Sequence, residues 1–351
     1  MLNKIIDELI EKKIDEINNF GSVIGGHNGP YYDDETPVRN TSHVAFILSY
    51  YYNKTRDSRY YDALLKCEEY LLSKDARPFD LTYYCRIGEK KDKSNGIIGQ
   101  AWAIEGLISL YKTTHNFKLL ELAQMIFLMI PFSEKYSIWE IIDIDGSNKG
   151  FDMTFNHQLW FVASGIQILS CENNSEIKKR CESFLNNIEN LINTYPNGLI
   201  SHLIKVNDVC SVHSKPILAI RNLAKRIKNW KRLYYKENGY HLFNMYAFAI
   251  IRNYGFNSSY FKTKKFEKNL DYCYSSKINY WLQKKSLKDL KNMKKVKNVK
   301  MNIYGYGYNA PGFELPYINL SFKDIKDVKN YIVEDVISKQ VMFTYDKDRK
   351  G

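Results

Sequence analysis

Several stretches of the chain share one layout, in which a short polar start is followed by a long apolar run. The clearest is Gly150–Ser170, where acid, amide and imidazole groups precede an almost wholly apolar segment, Leu159–Leu169, and where a helix is predicted at Phe155–Leu169. The other stretches with this layout are Thr41–Tyr52, Asn95–Tyr111 and Tyr240–Ile251. A run that is apolar all round and longer than a usual strand predicts a buried helix. The recurrence of the layout indicates a repeated helical unit.

The segments between these stretches have one apolar stripe and one charged face, which is typical of surface helices. They are Ser58–Ser73, Lys118–Ile130 and Ser175–Asn193. An apolar helix must be covered on all sides and so belongs to an inner layer, whereas an amphipathic helix covers it from outside. Hairpins of inner and outer helices close into a ring. We therefore predict an all-α toroid of alternating inner and outer helices over residues 1–351, with an open α-solenoid as the alternative.

Two long loops are predicted from Gly- and Pro-rich composition, at Gly21–Arg39 and at Tyr304–Pro316. Ile138–Asp143 predicts a short strand, and no segment predicts a large sheet. Further helices are predicted at residues 2–20, Pro216–Tyr234 and about Phe322–Lys339. The loops at the starts of inner helices are expected on one face of the ring, round the mouth of a central funnel.

The chain is basic, with a net charge of +12 and lysines concentrated late, in Ser286–Lys300. An excess of basic residues is consistent with binding to nucleic acid, to an anionic surface or to an anionic substrate. The abundance of Asn, Ile, Lys and Tyr favours a compositional bias for most of this charge. No nucleotide-binding glycine motif is present, and we expect no nucleic-acid partner.

The six cysteines are scattered and form no C-x-x-C pair, so we expect neither a metal site nor a disulfide framework. No cofactor is implied. The first twenty residues lack the apolar core of a signal peptide, and no run has transmembrane length. These features predict a cytoplasmic protein without a membrane partner and leave its oligomeric state open.

Four segments carry a family resemblance: DDETPVRNTSHVAF (Asp33–Phe46), NGIIGQAWAIEGL (Asn95–Leu107), FDMTFNHQLWFVAS (Phe151–Ser164) and YGYNAPGFELPYI (Tyr306–Ile318). They resemble the six-hairpin glycosidase superfamily, in particular unsaturated glucuronyl hydrolase-like proteins found with polysaccharide and surface-glycan genes. The resemblance implies an (α/α)₆ toroid. It also implies a carbohydrate-active enzyme with carboxylates and imidazoles in an aromatic-lined funnel.

Candidate catalytic residues are carboxylates and an imidazole, because cleaving a glycosidic bond needs a proton donor and a base that activates water. Asp152 precedes an inner helix and is the predicted principal acid/base, helped by His157. Asp34 or Glu314 is the predicted second carboxylate. The alternatives are structural: Asp152 or Asn156 only caps the helix, and His157 is a core histidine.

Candidate substrate-binding residues are polar or aromatic side chains near the predicted funnel mouth. They are Arg39, His43, Gln100, Trp102, Glu105, Asn156, Trp160, His241, Tyr306 and Tyr308. An arginine fork suits a uronate carboxylate, although Arg39 also has Asp33 and Glu35 as possible partners. Glu105 lies inside an apolar helix, where a carboxylate either pairs with another group or takes part in chemistry.

Three functional hypotheses follow. The first is a glycoside hydrolase acting on a uronate-containing or otherwise anionic oligosaccharide or polysaccharide. The second is a sugar epimerase or isomerase that uses a histidine pair, His157 and His241, for proton transfer beside a carbonyl. The third is a non-catalytic α-solenoid that binds nucleic acid or protein through a basic face. Against it, the aromatic and acidic residues lie in loops at the starts of buried helices, whereas such a module would carry basic residues along a helix face.

Overall fold

The computed structural model describes residues 2–28, 33–89, 91–205, 230–278, 311–328 and 330–345. These residues group into two compact units. The first unit runs to Asp152 and also contains His157–Phe184; the second contains Met153–Asn156 and Leu185–Tyr345. Tyr306 and Tyr308 lie outside the described residues, and so does most of the predicted helix Pro216–Tyr234. The single-domain organisation stays a prediction.

The first unit is built mainly from helices. They are α1 (Leu2–Phe20), α2 (Val38–Thr55), α3 (Ser58–Leu72), α4 (Gly96–Thr114) and α5 (Phe117–Met129), followed by most of α6 (Phe155–Leu169) and the start of α7 (Ser175–Leu191). The outer helices begin at the caps that their sequences supply. Asp57 accepts a hydrogen bond from the Arg59 amide at the start of α3, and Asn116 accepts one from the Lys118 amide at the start of α5.

Inner helices α2 and α4 approach each other closely. Gly106 makes this possible, because a Cβ atom at that position would lie 2.7 Å from the Cβ atom of Ser42. Farther along the same pair of helices, the Ser49 hydroxyl donates to the carbonyl of Ser109 at 3.3 Å. Nearly every residue of α4 is buried, as its apolar sequence predicts for an inner helix.

Five short strands accompany the helices of the first unit. β1 (His27–Asn28) pairs antiparallel with β2 (Asp33–Asp34). The strands β3 (Phe132–Ser133), β4 (Ile138–Ile142) and β5 (Asn148–Phe151) form an antiparallel sheet in that order. β4 matches the predicted strand at Ile138–Asp143. Trp139 from this strand packs in the core against the stacked rings of Phe127 and Phe161, whose centroids are 4.7 Å apart.

The second unit contains α8 (Trp230–Asn253), α9 (Lys264–Tyr272), α10 (Pro311–Ser321) and α11 (Asn330–Thr344), with a short 3-10 helix at Ser259–Lys262. Helix α10 packs against both α8 and α11. An aromatic cluster forms the core, in which Phe248 of α8 contacts Tyr260, Phe261 and Phe266. Burial of these aromatic rings stabilises the core of the second unit.

Most predicted helices agree with the structure to within a few residues, and α6 agrees at both ends. Three differences stand out. α8 spans Trp230–Asn253, so the end of the predicted helix Pro216–Tyr234 continues into the helix predicted from Tyr240, and the residues between them are helical. α10 begins at Pro311, inside a predicted loop, since proline is well suited to the first position of a helix. The last helix begins at Asn330 rather than near Phe322. Among the described residues, no helix combines the length and the apolar character needed to cross a membrane.

Candidate functional site

The start of α4 provides the framework of the candidate site. Asn95 and Gly96 both have left-handed backbone conformations, with φ of 60° and 59°, so the chain turns sharply into the helix. The Asp92 carboxylate accepts hydrogen bonds from the Gly96 amide at 2.5 Å and from the Ser94 hydroxyl at 3.1 Å. It also pairs with Arg86 at 2.5 Å. One carboxylate thus caps the helix and anchors the preceding loop.

A second carboxylate at the same helix end, Asp152, forms a dyad with His157. Asp152 Oδ2 lies 2.7 Å from His157 Nδ1 and accepts a longer hydrogen bond, 3.4 Å, from the amide of Ile97. The Asp152 side chain is 3% exposed, whereas that of His157 is 25% exposed. Asp152 therefore caps α4 across space, although the sequence suggested α6, the helix that follows it. The positive end of the α4 dipole favours the charged carboxylate.

Gly96 is a site residue that the sequence interpretation missed. A Cβ atom there would lie 2.7 Å from Asp152 Oδ2 and 3.2 Å from His157 Nδ1. Any side chain at this position would therefore displace the dyad. The adjacent Asn-Gly pair, which favours left-handed backbone, was the available signal, but only the fold shows what approaches it.

The dyad is held from behind by Gln158. Its Oε1 accepts from the Trp139 amide at 2.9 Å, and its Nε2 donates to the carbonyls of Trp139 and Asp152, both at 2.8 Å. Gln158 is fully buried, so these hydrogen bonds do not compete with water. They fix the backbone of Asp152 relative to the first turns of α6.

Arg39, His43 and Trp102 form a second group on the facing sides of α2 and α4. The Arg39 guanidinium lies 5.4 Å from the Trp102 ring centroid, and the His43 ring meets the Trp102 ring edge-on at 5.7 Å. Arg39 also pairs with the buried Glu35 at 2.6 Å, which was the alternative considered for it. This ion pair holds Arg39 in place.

His43 is exposed to solvent, yet its pKa is lowered to about 4. Burial among the surrounding protein groups is the main cause, and the charge of Arg39 adds to it. His43 is therefore neutral near pH 7, as a base or a hydrogen-bonding group must be.

Glu105 lies three residues after Trp102, on the same face of α4. Burial raises its pKa from 4.5 to about 7, and a hydrogen bond from Gln167 partly opposes this rise. That hydrogen bond joins Gln167 Nε2 to Glu105 Oε1 at 3.4 Å. Near neutral pH the carboxyl group is thus protonated in part of the molecules, which is what a general acid requires.

Other candidates in the first unit take structural positions. Gln100 is fully buried and hydrogen-bonds the main chain of Tyr83 and Ser94. Trp160 is 5% exposed and packs in the interior. Asp34 is exposed on β2, where its carbonyl accepts from the Ile87 amide at 2.9 Å. The structure does not bring these side chains into the groups described above.

In the second unit, His241 is fully buried and is held by main-chain groups at both ring nitrogens. Nδ1 accepts from the Ile200 amide at 3.3 Å, and Nε2 donates to the Asn269 carbonyl at 2.9 Å. Burial lowers its pKa to about 4 despite the second bond. Glu314 lies in the first turn of α10 and is half-buried. Asn156 is 4% exposed, and its Oδ1 has no hydrogen-bond partner among the described residues.

Comparison with known proteins identifies a relative of this chain. It is 35% identical over 306 residues to archaeal glycosylation protein Q of Haloferax volcanii, covering 84% of this chain and 78% of that protein. The chain belongs to the family of this glycosylation protein. No protein-family model matches it.

Two solved structures show the fold of this family member. A sugar epimerase from a ruminal bacterium superposes with a TM-score of 0.59 at 14% identity, covering 99% of this chain and 88% of that one. Cellobiose 2-epimerase from Bacillus thermoamylovorans superposes with a TM-score of 0.61 at 13% identity, covering 98% and 90%. The predicted (α/α)₆ toroid of inner and outer helices is confirmed.

Proposed function

We propose that this protein is a carbohydrate-active enzyme of a glycosylation system, and that it epimerises or isomerises a sugar by proton transfer to and from carbon. His157 is the base in this proposal. The observation that carries it is the Asp152–His157 dyad, in which the carboxylate is buried and the imidazole remains accessible.

The division of roles within the dyad follows from its geometry. With Asp152 accepting from Nδ1, the second ring nitrogen of His157 carries the lone pair. That nitrogen has no hydrogen-bond partner in the described part of the chain. Asp152 stabilises the imidazolium that forms when His157 takes a proton. We therefore assign the proton transfer to His157 and a positioning role to Asp152, the reverse of the order that the sequence suggested.

The reaction balances without another reactant. His157 takes the proton from a carbon next to a sugar carbonyl, and the bonding electrons move onto the carbonyl oxygen to give an enolate. Water then delivers a proton to the opposite face of the same carbon, and the carbonyl re-forms. The hydroxide left by that water takes the proton from the His157 imidazolium, which restores the base.

The comparisons support this reaction class and the kind of substrate. Both structures described above are sugar epimerases by name. The name of the Haloferax relative refers to glycosylation, so the substrate we propose is a sugar destined for, or part of, a glycan. Trp102 is half-buried and is an aromatic ring on which a sugar can stack; Arg39 lies over this ring and His43 meets it edge-on.

A glycoside hydrolase is the second candidate, and the raised pKa of Glu105 is the observation that favours it. In that reaction Glu105 would protonate the departing glycosidic oxygen while water attacks the anomeric carbon. Arg39 would bind the carboxylate of a uronate through the part of its guanidinium that Glu35 does not occupy.

Isotope labelling separates the two reactions. The purified protein is incubated with cellobiose and with a uronic-acid disaccharide, once in deuterated water and once in water enriched in heavy oxygen. Epimerisation or isomerisation would place deuterium on a sugar carbon and leave the disaccharide intact. Hydrolysis would split the disaccharide and place heavy oxygen at the new reducing end. If a His157→Ala variant gave either product at the wild-type rate, the assignment of His157 would be wrong.

A further inference from the structure

A cavity of about 580 Å³ lies in the first unit, between the loop that precedes α4 and the turn that joins β4 to β5. We call it the rim cavity. Among its lining residues are Phe79, Lys91, Asp92, Asp143, Asp145 and Lys149. Its volume falls within the range of about 300–1,000 Å³ that is usual for small-molecule sites. None of the residues assigned to proton transfer above lines it.

The floor of the rim cavity is fixed by a buried carboxylate. Asp143 is 7% exposed, and its Oδ1 accepts from the amides of Lys93 at 2.7 Å, Ser94 at 3.1 Å and Ile144 at 3.0 Å. The Lys93 ammonium donates to the carbonyls of Ile87 and Gly88 at 2.6 and 3.0 Å. These bonds join the two loops, so the cavity is formed before any ligand binds, which lowers the cost of binding.

The rim cavity and the dyad share the first turn of α4. Asp92, which lines the cavity, accepts from the amide of Gly96, and Asp152 of the dyad accepts from the amide of the next residue, Ile97. Carboxylates bound to consecutive amides of one helix end lie within one side-chain length of each other. The rim cavity therefore lies next to the helix end that holds the dyad.

The lining suits a sugar rather than an anion. Phe79 presents a ring that is 57% exposed, and an aromatic ring stacks on the apolar face of a pyranose. The other residues that line the cavity carry both ammonium groups and carboxylates. Lys149 lies 3.6 Å from Asp143, and Glu89 and Asp145 are exposed. Hydroxyl groups both donate and accept hydrogen bonds and so can use both kinds of group, whereas the carboxylates would repel a phosphate or a uronate.

We propose that the rim cavity binds a second, neutral sugar unit, so that the substrate is an oligosaccharide whose reacting sugar lies at the dyad. This inference rests on the proposed function for the position of the reacting sugar. The binding itself does not depend on which reaction follows. Phe79 is the stacking platform, and Lys149 donates to the hydroxyl groups.

Calorimetric titration of the full chain with cellobiose and with glucose tests the proposal. The variants are Phe79→Ala and Lys149→Ala, with Phe117→Ala as a matched control, since Phe117 is also exposed, at 49%, and lies outside the cavity. Wild type is expected to bind cellobiose more tightly than glucose. Phe79→Ala should weaken cellobiose binding by about tenfold and leave glucose binding unchanged. Lys149→Ala should weaken it by a smaller factor, and the control should match wild type.

The outcomes separate this inference from the proposed reaction. Equal affinity of wild type for cellobiose and glucose would overturn it, as would wild-type cellobiose affinity in both cavity variants. Selective loss of cellobiose binding in the variants supports it even if cellobiose is not turned over. In that case the reaction proposed for the dyad is wrong and the sugar site remains.

Discussion

His157 in the first unit and His241 in the second occupy similar places in the sequence and very different environments in the structure. Each follows a polar stretch, and an apolar helical run comes after it. His157 has one carboxylate partner, and its side chain is 25% exposed. His241 is fully buried, with main-chain partners at both ring nitrogens. Solvent reaches the first ring and not the second.

The difference shows that the partner of a histidine, and not its place at the start of an inner helix, decides its role. A carboxylate stabilises the imidazolium ion and leaves the second nitrogen available. An amide and a carbonyl together fix one neutral tautomer and use both nitrogens. The sequence suggested a histidine pair, His157 with His241. The structure supports this hypothesis for His157 and not for His241.

The largest expected effect is on turnover in His157→Ala. Loss of the base should lower kcat by roughly two to four orders of magnitude, with little change in melting temperature because the ring is partly exposed. Steady-state kinetics and thermal unfolding of the same preparation provide the measurement. His27→Ala, which removes an exposed ring, is the control. A wild-type kcat in His157→Ala would remove this residue from the mechanism.

His241→Ala should act on stability instead. The change leaves the Ile200 amide and the Asn269 carbonyl buried without their partner, at a cost of about 2–3 kcal/mol. Its pH dependence has a definite sign. Because the pKa of His241 is lowered from 6.5 to about 4, the unfolded chain binds the proton first, and wild type loses stability as pH falls from about 6.5 to 4.

Melting temperatures measured across that pH range provide the check. The acid-side loss of stability should be smaller in His241→Ala than in wild type. An equally steep loss in the variant would mean that other groups, such as His43, account for it entirely.

A smaller effect is expected from Asp152→Asn, which keeps the shape and a hydrogen-bonding oxygen and removes the charge. We expect kcat to fall by roughly ten- to a hundredfold, less than in His157→Ala. The pH dependence of kcat should also change, because the charge beside the imidazole is gone. Kinetics across pH distinguish this from a purely structural cap, whose loss would lower the melting temperature and leave the pH profile of kcat unaltered.

The smallest effect is expected from Glu105→Gln on stability. The pKa of Glu105 is raised to about 7, so its favourable contribution is complete below about pH 4.5 and is lost as pH rises through 7. Glutamine stays neutral throughout. The variant should therefore gain melting temperature relative to wild type between about pH 5 and pH 8. Glu121→Gln, at an exposed position of α5, should show no such gain.

The sequence by itself determined the helices and their two classes. The period of apolar residues and the caps at Asp57 and Asn116 are local properties, and the bounds of α6 followed from them without tertiary information. The exceptions have local causes too. Pro311 starts a helix within a stretch whose glycine and proline content predicts a loop, because composition does not distinguish a helix start from a turn.

Only the tertiary structure decided how the chemical groups are arranged. The sequence suggested that Asp152 caps the helix that follows it, whereas Asp152 caps α4, more than fifty residues earlier in the chain, and orients His157. Gly96 matters because two side chains from another segment approach it. The physical reason is that burial, hydrogen-bond partners and pKa depend on which segments meet in space. Two histidines with similar local sequences thus have different environments. His157 is partly exposed, and His241 is fully buried.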